Sequence, residues 1–181
     1  DPIPVSLGRF GWKASTPSVR VQSLGALRGD MGVTNPLFPD ESIANTAMHE
    51  SYLARTGFVD TGSDESGAPE ASQSFSDDVV FYAETLAVPA RRDIENASVL
   101  AGSVLFEQIN CSGCHTPMFV TGTGDLQLGG VSAPESLKGQ TIYPFTDMLL
   151  HDMGEELADN RRDFTATGRE WKTRSLWGIG L

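Results

Sequence analysis

Apolar positions in the first half of the chain recur at helical steps. Val21, Leu24, Leu27 and Met31 stand three or four residues apart, which places them on one face of an α-helix. Thr16 occupies an N-cap position, Pro17 a first helical position and Gly32 a stop, so the pattern predicts a helix from about Thr16 to Met31. "NPLFPDE" reads as a turn, with Asp40 capping a second helix that carries Ile43, Ala47 and Leu53. A third helix is expected from about Ser76 to Val88. Asp77 and Asp78 would sit in its first turn, Val79, Tyr82, Ala83 and Leu86 on its apolar face, and Pro89 would end it. A fourth runs from about Asn96 to Ile109, with Gly102 and Phe106 on one face, where glycine lets another helix approach. Between the second and third helices, "GFVDTGSDESGAPEASQS" is small, acidic and poor in anything to bury, and reads as a long exposed loop. After His115 the helical period fades. "VTGTGDLQLGG" suggests a turn or small hairpin, and "IYPFTDMLLHDMGEELAD" a loop with one helical turn at most. The predicted class is therefore mainly α, with long loops.

Composition narrows the function. A length of 181 residues suits one ordinary core, or one domain with an appendage. The formal net charge of −11 leaves no basic patch and argues against nucleic acid as a partner. No run of about 18 apolar residues occurs, so no membrane-spanning helix is expected. The opening "DPIPVSLGRF" lacks a basic start and an apolar core, so no signal peptide is read there, although a mature or excised chain would look the same. The closing "EWKTRSLWGIGL" is an apolar run with nothing after it to cover it, which suggests a domain cut short.

The two cysteines lie two residues apart in "INCSGCHTPMF". A disulfide between them would close too short a loop to stabilise a fold much, so they read as a chemical pair. Cys111, Cys114 and His115 form C-x-x-C-H, the spacing at which two thiols reach both vinyl groups of one haem and the next histidine falls beneath the iron. The motif follows a helix, which is the expected support. Zinc would need four ligands, and neither a second C-x-x-C nor H-x₃₋₅-H is present. A thioredoxin-like pair would stand at a strand-to-helix junction. The expected cofactor is haem c, one per chain. His151 or Met153, in "LLHDMGEE", could take the sixth position on the iron, with Met118 and Met148 behind them. The alternative is that His151 is a hydrogen-bonded loop residue and the methionines are packing. His49, in "AMHES", has no partner motif. The "NAS" at 96 to 98 matches a glycosylation sequon that chance often supplies, and Glu155 and Glu156 read as a solvated face.

Six stretches carry a resemblance: "GRFGWKAS", "GDMGVTNPLFP", "VVFYAETLAVPARRD", "GSVLFEQINCSGCHTP", "YPFTDMLLHDMGEELAD" and "EWKTRSLWGIGL". Together they resemble the di-haem cytochrome c peroxidase and MauG superfamily, and most closely the di-haem oxidoreductase branch, also called thiol oxidoreductases. They span nearly the whole chain; residues 41 to 76 match least. The resemblance implies two haem domains, each with a C-x-x-C-H, of which this chain has one. Its surroundings are similar to those of the second, C-terminal haem. The chain would then be a fragment incomplete at both ends, with residues 1–90 bordering the first haem domain and 91–181 forming a c-type cytochrome domain without its C-terminal helix.

In the superfamily the first haem reacts with peroxide and the second relays electrons, helped by an aromatic residue between them. Trp12 matches that inter-haem tryptophan. Gln22 matches a glutamine on the distal side of the peroxidatic haem. Asp30 stands in "DMG" where relatives have the acid of "EMG", one methylene longer, and would act as a general acid/base on the O–O bond. Here the spacing is compressed by two residues. Read from the residues alone, Trp12 is equally a core or rim aromatic, Gln22 an exposed helix residue and Asp30 a helix-end polar group.

The expected function is electron transfer through covalent haem within a peroxidase-like oxidoreductase, in the bacterial periplasm. An electron-donor protein, and the remainder of a di-haem enzyme or another chain, would be the partners. A stand-alone mono-haem carrier is the alternative. A non-catalytic haem subunit docking through its exposed ends is a third.

Overall fold

The computed structural model of the chain describes residues 6–59, 62–64 and 66–179. Among these, four α-helices are present: α1 (Val19–Met31), α2 (Ala47–Thr56), α3 (Gln73–Thr85) and α4 (Ala97–Gln108). Six short strands follow: β1 (Phe119–Val120), β2 (Gln127–Leu128), β3 (Val131–Ser132), β4 (Thr141–Ile142), β5 (Leu150–Asp152) and β6 (Glu170–Lys172). They pair antiparallel as β1–β4, β2–β3 and β5–β6. The expectation of a mainly α class is thus corrected: the fold is mixed α/β, 33% helical and 13% strand. The physical reason lies in element length. Strands of two or three residues are too short to show a period of two, so the Gly- and Thr-rich second half reads as loop in sequence and forms ladders in space.

The helices begin and end where local chemistry satisfies their free backbone groups. Ser18, not Thr16, caps α1, its hydroxyl accepting from Val21 N at 3.2 Å. Thr16 instead pairs with Phe10 in an isolated antiparallel bridge. Gly32 ends α1 in the left-handed region at φ 70°, where glycine carries no Cβ penalty. Thr46 caps α2, six residues beyond the expected Asp40. Helix α3 starts at Gln73, with the Ser72 hydroxyl accepting from Phe75 N at 3.1 Å. For α4, whose start was expected at about Asn96, the Asn96 side chain is the cap, accepting from Ser98 N at 2.9 Å.

The described chain divides into two compact units: Ser18–Thr85 with Gln127–Ser132, and Asp1–Pro17 with Leu86–Leu126 and Ala133–Leu181. In the first of these, Leu24, Val80, Ala71 and Leu128 are the buried apolar residues. The buried positions of α3 are Ser76 and Val80, one turn apart. Tyr82 and Leu86, expected on the apolar face, are exposed. A serine in the buried row breaks the apolar period, which is why the face was misplaced. The segment read as an exposed loop also contributes: Glu70 N donates to Thr34 Oγ1 and Thr34 N to the Glu70 carboxylate, each at 3.0 Å, and Ala71 is buried.

The β2–β3 hairpin lies on α3. Gly129, at φ 54°, brings its backbone so close that a Cβ would stand 2.4 Å from the Asp77 carbonyl oxygen. Gly129→Ala is expected to destabilise this unit by about 2 kcal/mol, through the strained φ and the clash; a urea titration followed by circular dichroism measures it. Among the described residues no helix is long and apolar enough to cross a membrane.

Candidate functional site

Helix α4 delivers the cysteine motif. After its C-cap Ile109, Asn110 turns left-handed at φ 61° and starts a 3-10 turn over Cys111–Gly113. Cys114 N and His115 N both donate to Cys111 O, at 3.3 and 2.9 Å, so one tight turn holds both thiols and the imidazole. The two cysteines do not form a disulfide. Phe106 of α4 meets His115 edge-on at 6.3 Å between ring centroids and Phe145 at 5.6 Å.

The second part of the site comes from residues 144–151. Phe145 takes φ 52°, an unfavourable conformation for a bulky residue, and its carbonyl oxygen accepts from His115 Nδ1 at 2.8 Å. A carbonyl can only accept, so Nδ1 carries a proton, and Nε2 is the nitrogen that could offer a lone pair to a metal. Strain at Phe145 thereby coincides with the orientation of the imidazole. Three further bonds fix this arrangement. Thr146 N donates to Thr116 O at 3.1 Å, Asp147 N to Cys114 O at 2.9 Å, and the Thr146 hydroxyl to Thr173 O at 2.6 Å. Thr146 is fully buried and its Oγ1 also accepts from Met148 N at 3.0 Å. Thr146→Val, which keeps the shape and removes both bonds, is expected to cost about 2 kcal/mol, read as a lowered thermal midpoint.

Strands β5 and β6 supply the remaining wall, with His151 opposite Trp171 in register. Together these elements border an open cleft of about 560 Å³, lined by Cys111, Cys114 and His115 with Trp12, His151, Met153 and the 171–174 stretch among others. That size falls within the range of cofactor pockets. Two stacked cation–ring pairs stand at it. Arg174 lies 3.6 Å over the Trp12 ring and Lys13 lies 4.3 Å over Trp171. Lys13 is buried, pairing with Asp159 at 3.0 Å and donating to Thr167 O at 2.8 Å.

The sequence-predicted residues are thus partly gathered. Cys111, Cys114, His115, Trp12, His151 and Met153 line one cavity, whereas Met118 and Met148 are not among its lining residues. Trp12 is 64% exposed. His151 Nε2 is engaged at 2.7 Å by Asp147. Burial pushes the Asp147 carboxyl up, but hydrogen bonds from Leu149 N, the Thr173 side chain and His151 outweigh it and hold the group below the ordinary aspartate range. Met153 is half exposed, and among the described residues its sulfur has no such engagement. Gln22 and Asp30 are exposed positions of α1, in the other unit. His49 lies on α2, and Glu155 pairs with Arg169 at 2.8 Å. The sequence reading missed Phe145, Thr146, Asp147, Trp171, Lys172 and Arg174. Only Asp147, four residues before a histidine, carried a signal; a backbone carbonyl offers none.

The ligating atoms of Cys114, Asp147 and His151 lie within 4.8 Å of one another. That makes three potential donors for an ion, one short of a closed tetrahedral zinc set. By contrast, the thiol pair with the adjacent imidazole and the apolar cavity match the donor set that a thioether-linked haem needs.

The whole chain, residues 1–181, matches the family described as "Di-haem oxidoreductase, putative peroxidase". The chain belongs to this family. No curated protein and no solved structure matches it. For this di-haem oxidoreductase family member, the family implies haem as cofactor and oxidoreductase chemistry of the peroxidase kind. Its 181 residues hold one C-x-x-C-H, and the cavity beside that motif is where the residues present fit such a group.

Proposed function

We propose that this chain holds one haem c, through thioethers to Cys111 and Cys114 with His115 as axial ligand, and passes electrons through it as part of a di-haem peroxidase-like oxidoreductase. The observation that carries the reading is the His115 Nδ1 bond to Phe145 O at 2.8 Å, which leaves Nε2 as the ring nitrogen available to a metal, next in the turn to Cys111 and Cys114. Bound there, haem would supply one-electron chemistry at its iron. The protein's part is to fix the imidazole by the Phe145 carbonyl, raising its basicity as a ligand, and to offer the group a largely apolar wall. Trp12, at the cavity and under Arg174, is the candidate relay toward a partner haem. An electron-donor protein and the rest of a di-haem assembly are the proposed partners. The bacterial periplasm is the proposed compartment, because haem is attached to such motifs on the exported side of the membrane.

The test is maturation of the chain in a host competent for cytochrome c assembly, followed by intact mass and visible spectra. One added haem mass that survives denaturation, with the spectrum of thioether-linked haem, is the expected outcome. Free thiols, or zinc held by Cys114, Asp147 and His151, would refute it. A stand-alone mono-haem carrier is the second reading, favoured by Met153 lining the same cavity as His115. A low-spin spectrum with a methionine-sulfur-to-iron band that vanishes in Met153→Ala would support this carrier reading.

A further inference from the structure

Among the described residues, Lys13, Arg20, Lys138 and Arg169 pair with carboxylates. Lys172 and Arg174, which line the cavity beside the cysteine motif, have none among the described residues. Lys172 Nζ donates to Arg9 O at 3.1 Å, an uncharged acceptor that uses one of its three protons. The Arg174 guanidinium carbon lies 3.6 Å from the centre of the Trp12 ring, and a guanidinium stacked on a ring keeps N–H donors at its edge for a planar anion. Two like charges brought together at an apolar wall are costly. Burial, and then the Arg174 charge, pull the Lys172 ammonium below its ordinary value. A bound anion would offset both effects.

We propose that Lys172 and Arg174 form a carboxylate clamp that takes the two propionate groups of the haem, with Arg174 joining a propionate to the ring of Trp12. This rests on the haem reading above and adds to it the orientation of the porphyrin in the cavity. Arg offers a fork matched to a carboxylate and Lys a point charge, so the pair can hold two carboxylates at once. Because Arg174 lies over the Trp12 ring, the same residue would position the tryptophan against the propionate edge of the cofactor.

The experiment uses the haem-loaded chain and three variants: Arg174→Gln, Lys172→Gln and, as a control, Lys138→Gln, whose partner is Glu135 at 2.7 Å. Ferric haem carries one more positive charge than ferrous, so losing a nearby cation favours the ferric form. The reduction potential should shift downward in both clamp variants and stay unchanged in the control. In resonance Raman spectra the propionate bending modes should move in the clamp variants alone. Haem attached in every protein, with potentials and propionate modes equal to those of the parent, would overturn the clamp while leaving the haem reading intact. A parent that carries no covalent haem would sink both together. Should Arg174→Gln fail to fold, Lys172→Gln reads the same two signals. Restoration of the parent potential but not the parent propionate modes by Arg174→Lys would identify the planar fork as the binding element.

Discussion

Cys111→Ala combined with Cys114→Ala is expected to abolish covalent haem entirely, so that the intact mass drops to that of the polypeptide and colour is lost on denaturation. The effect is all-or-none because the two sulfurs are the only cysteines in the 181 residues, and no other nucleophile in the 3-10 turn can replace them. A single variant is expected to retain one thioether at reduced yield, since on the proposed reading each thiol would meet a different vinyl group. The fold itself should change little. Cys111 is half-buried and Cys114 exposed, while the bonds that shape the turn run between backbone atoms, from His115 N and Cys114 N to Cys111 O. Circular dichroism of the double variant should therefore keep the helical signal of the parent. A chain that still carried haem resistant to denaturation after both substitutions would remove the basis of the functional reading.

Leu24→Ala is expected to produce the largest loss of stability, about 3 kcal/mol, from removed apolar burial and an unfilled cavity. Among the described residues Leu24 is the largest fully buried side chain, and its unit has few others to share the load: Val80, Ala71 and Leu128 complete its buried apolar set. Its own carbonyl is also committed, accepting from the buried Asn35 side chain at 2.9 Å. Asn35 in turn accepts from Leu37 N and Phe38 N at 3.2 and 3.1 Å, so collapse around the missing atoms would disturb a turn as well as a helix. Against a total of about 5–15 kcal/mol for a typical domain, this is a large fraction. A fall in the urea midpoint of the parent protein measures it, and a midpoint equal to the parent would contradict the assignment of Leu24 to the core.

Much of this was legible beforehand, for identifiable reasons. Helix α4 and its approach to the cysteines were clear because an apolar run and the motif that follows it are both local signals. So was the stop at Gly32. Starts of helices were less well placed: Ser18 and Thr46 cap where Thr16 and Asp40 had been expected, since several capping residues in a row compete and only tertiary packing chooses among them. The mixed class was missed because two-residue ladders carry no pattern. At the site, C-x-x-C-H was plain, whereas the carbonyl of Phe145, thirty residues beyond His115, is a backbone group set by an unusual φ and has no sequence signature. Arg174 and Trp171 were equally invisible, because their stacking on Trp12 and under Lys13 depends on chain segments more than 150 residues apart.

The ribbon Gln127–Ser132 belongs by its packing to the body built from α1–α3, although the sequence on either side of it belongs to the body that holds the cysteines. No single scissile point therefore separates the two as independent pieces. A truncation beginning at Leu86 would carry the ribbon without α3 and turn Leu128, buried in the intact protein, out into water. Such a truncation needs residues 127–132 replaced by a short polar linker if it is to remain in solution.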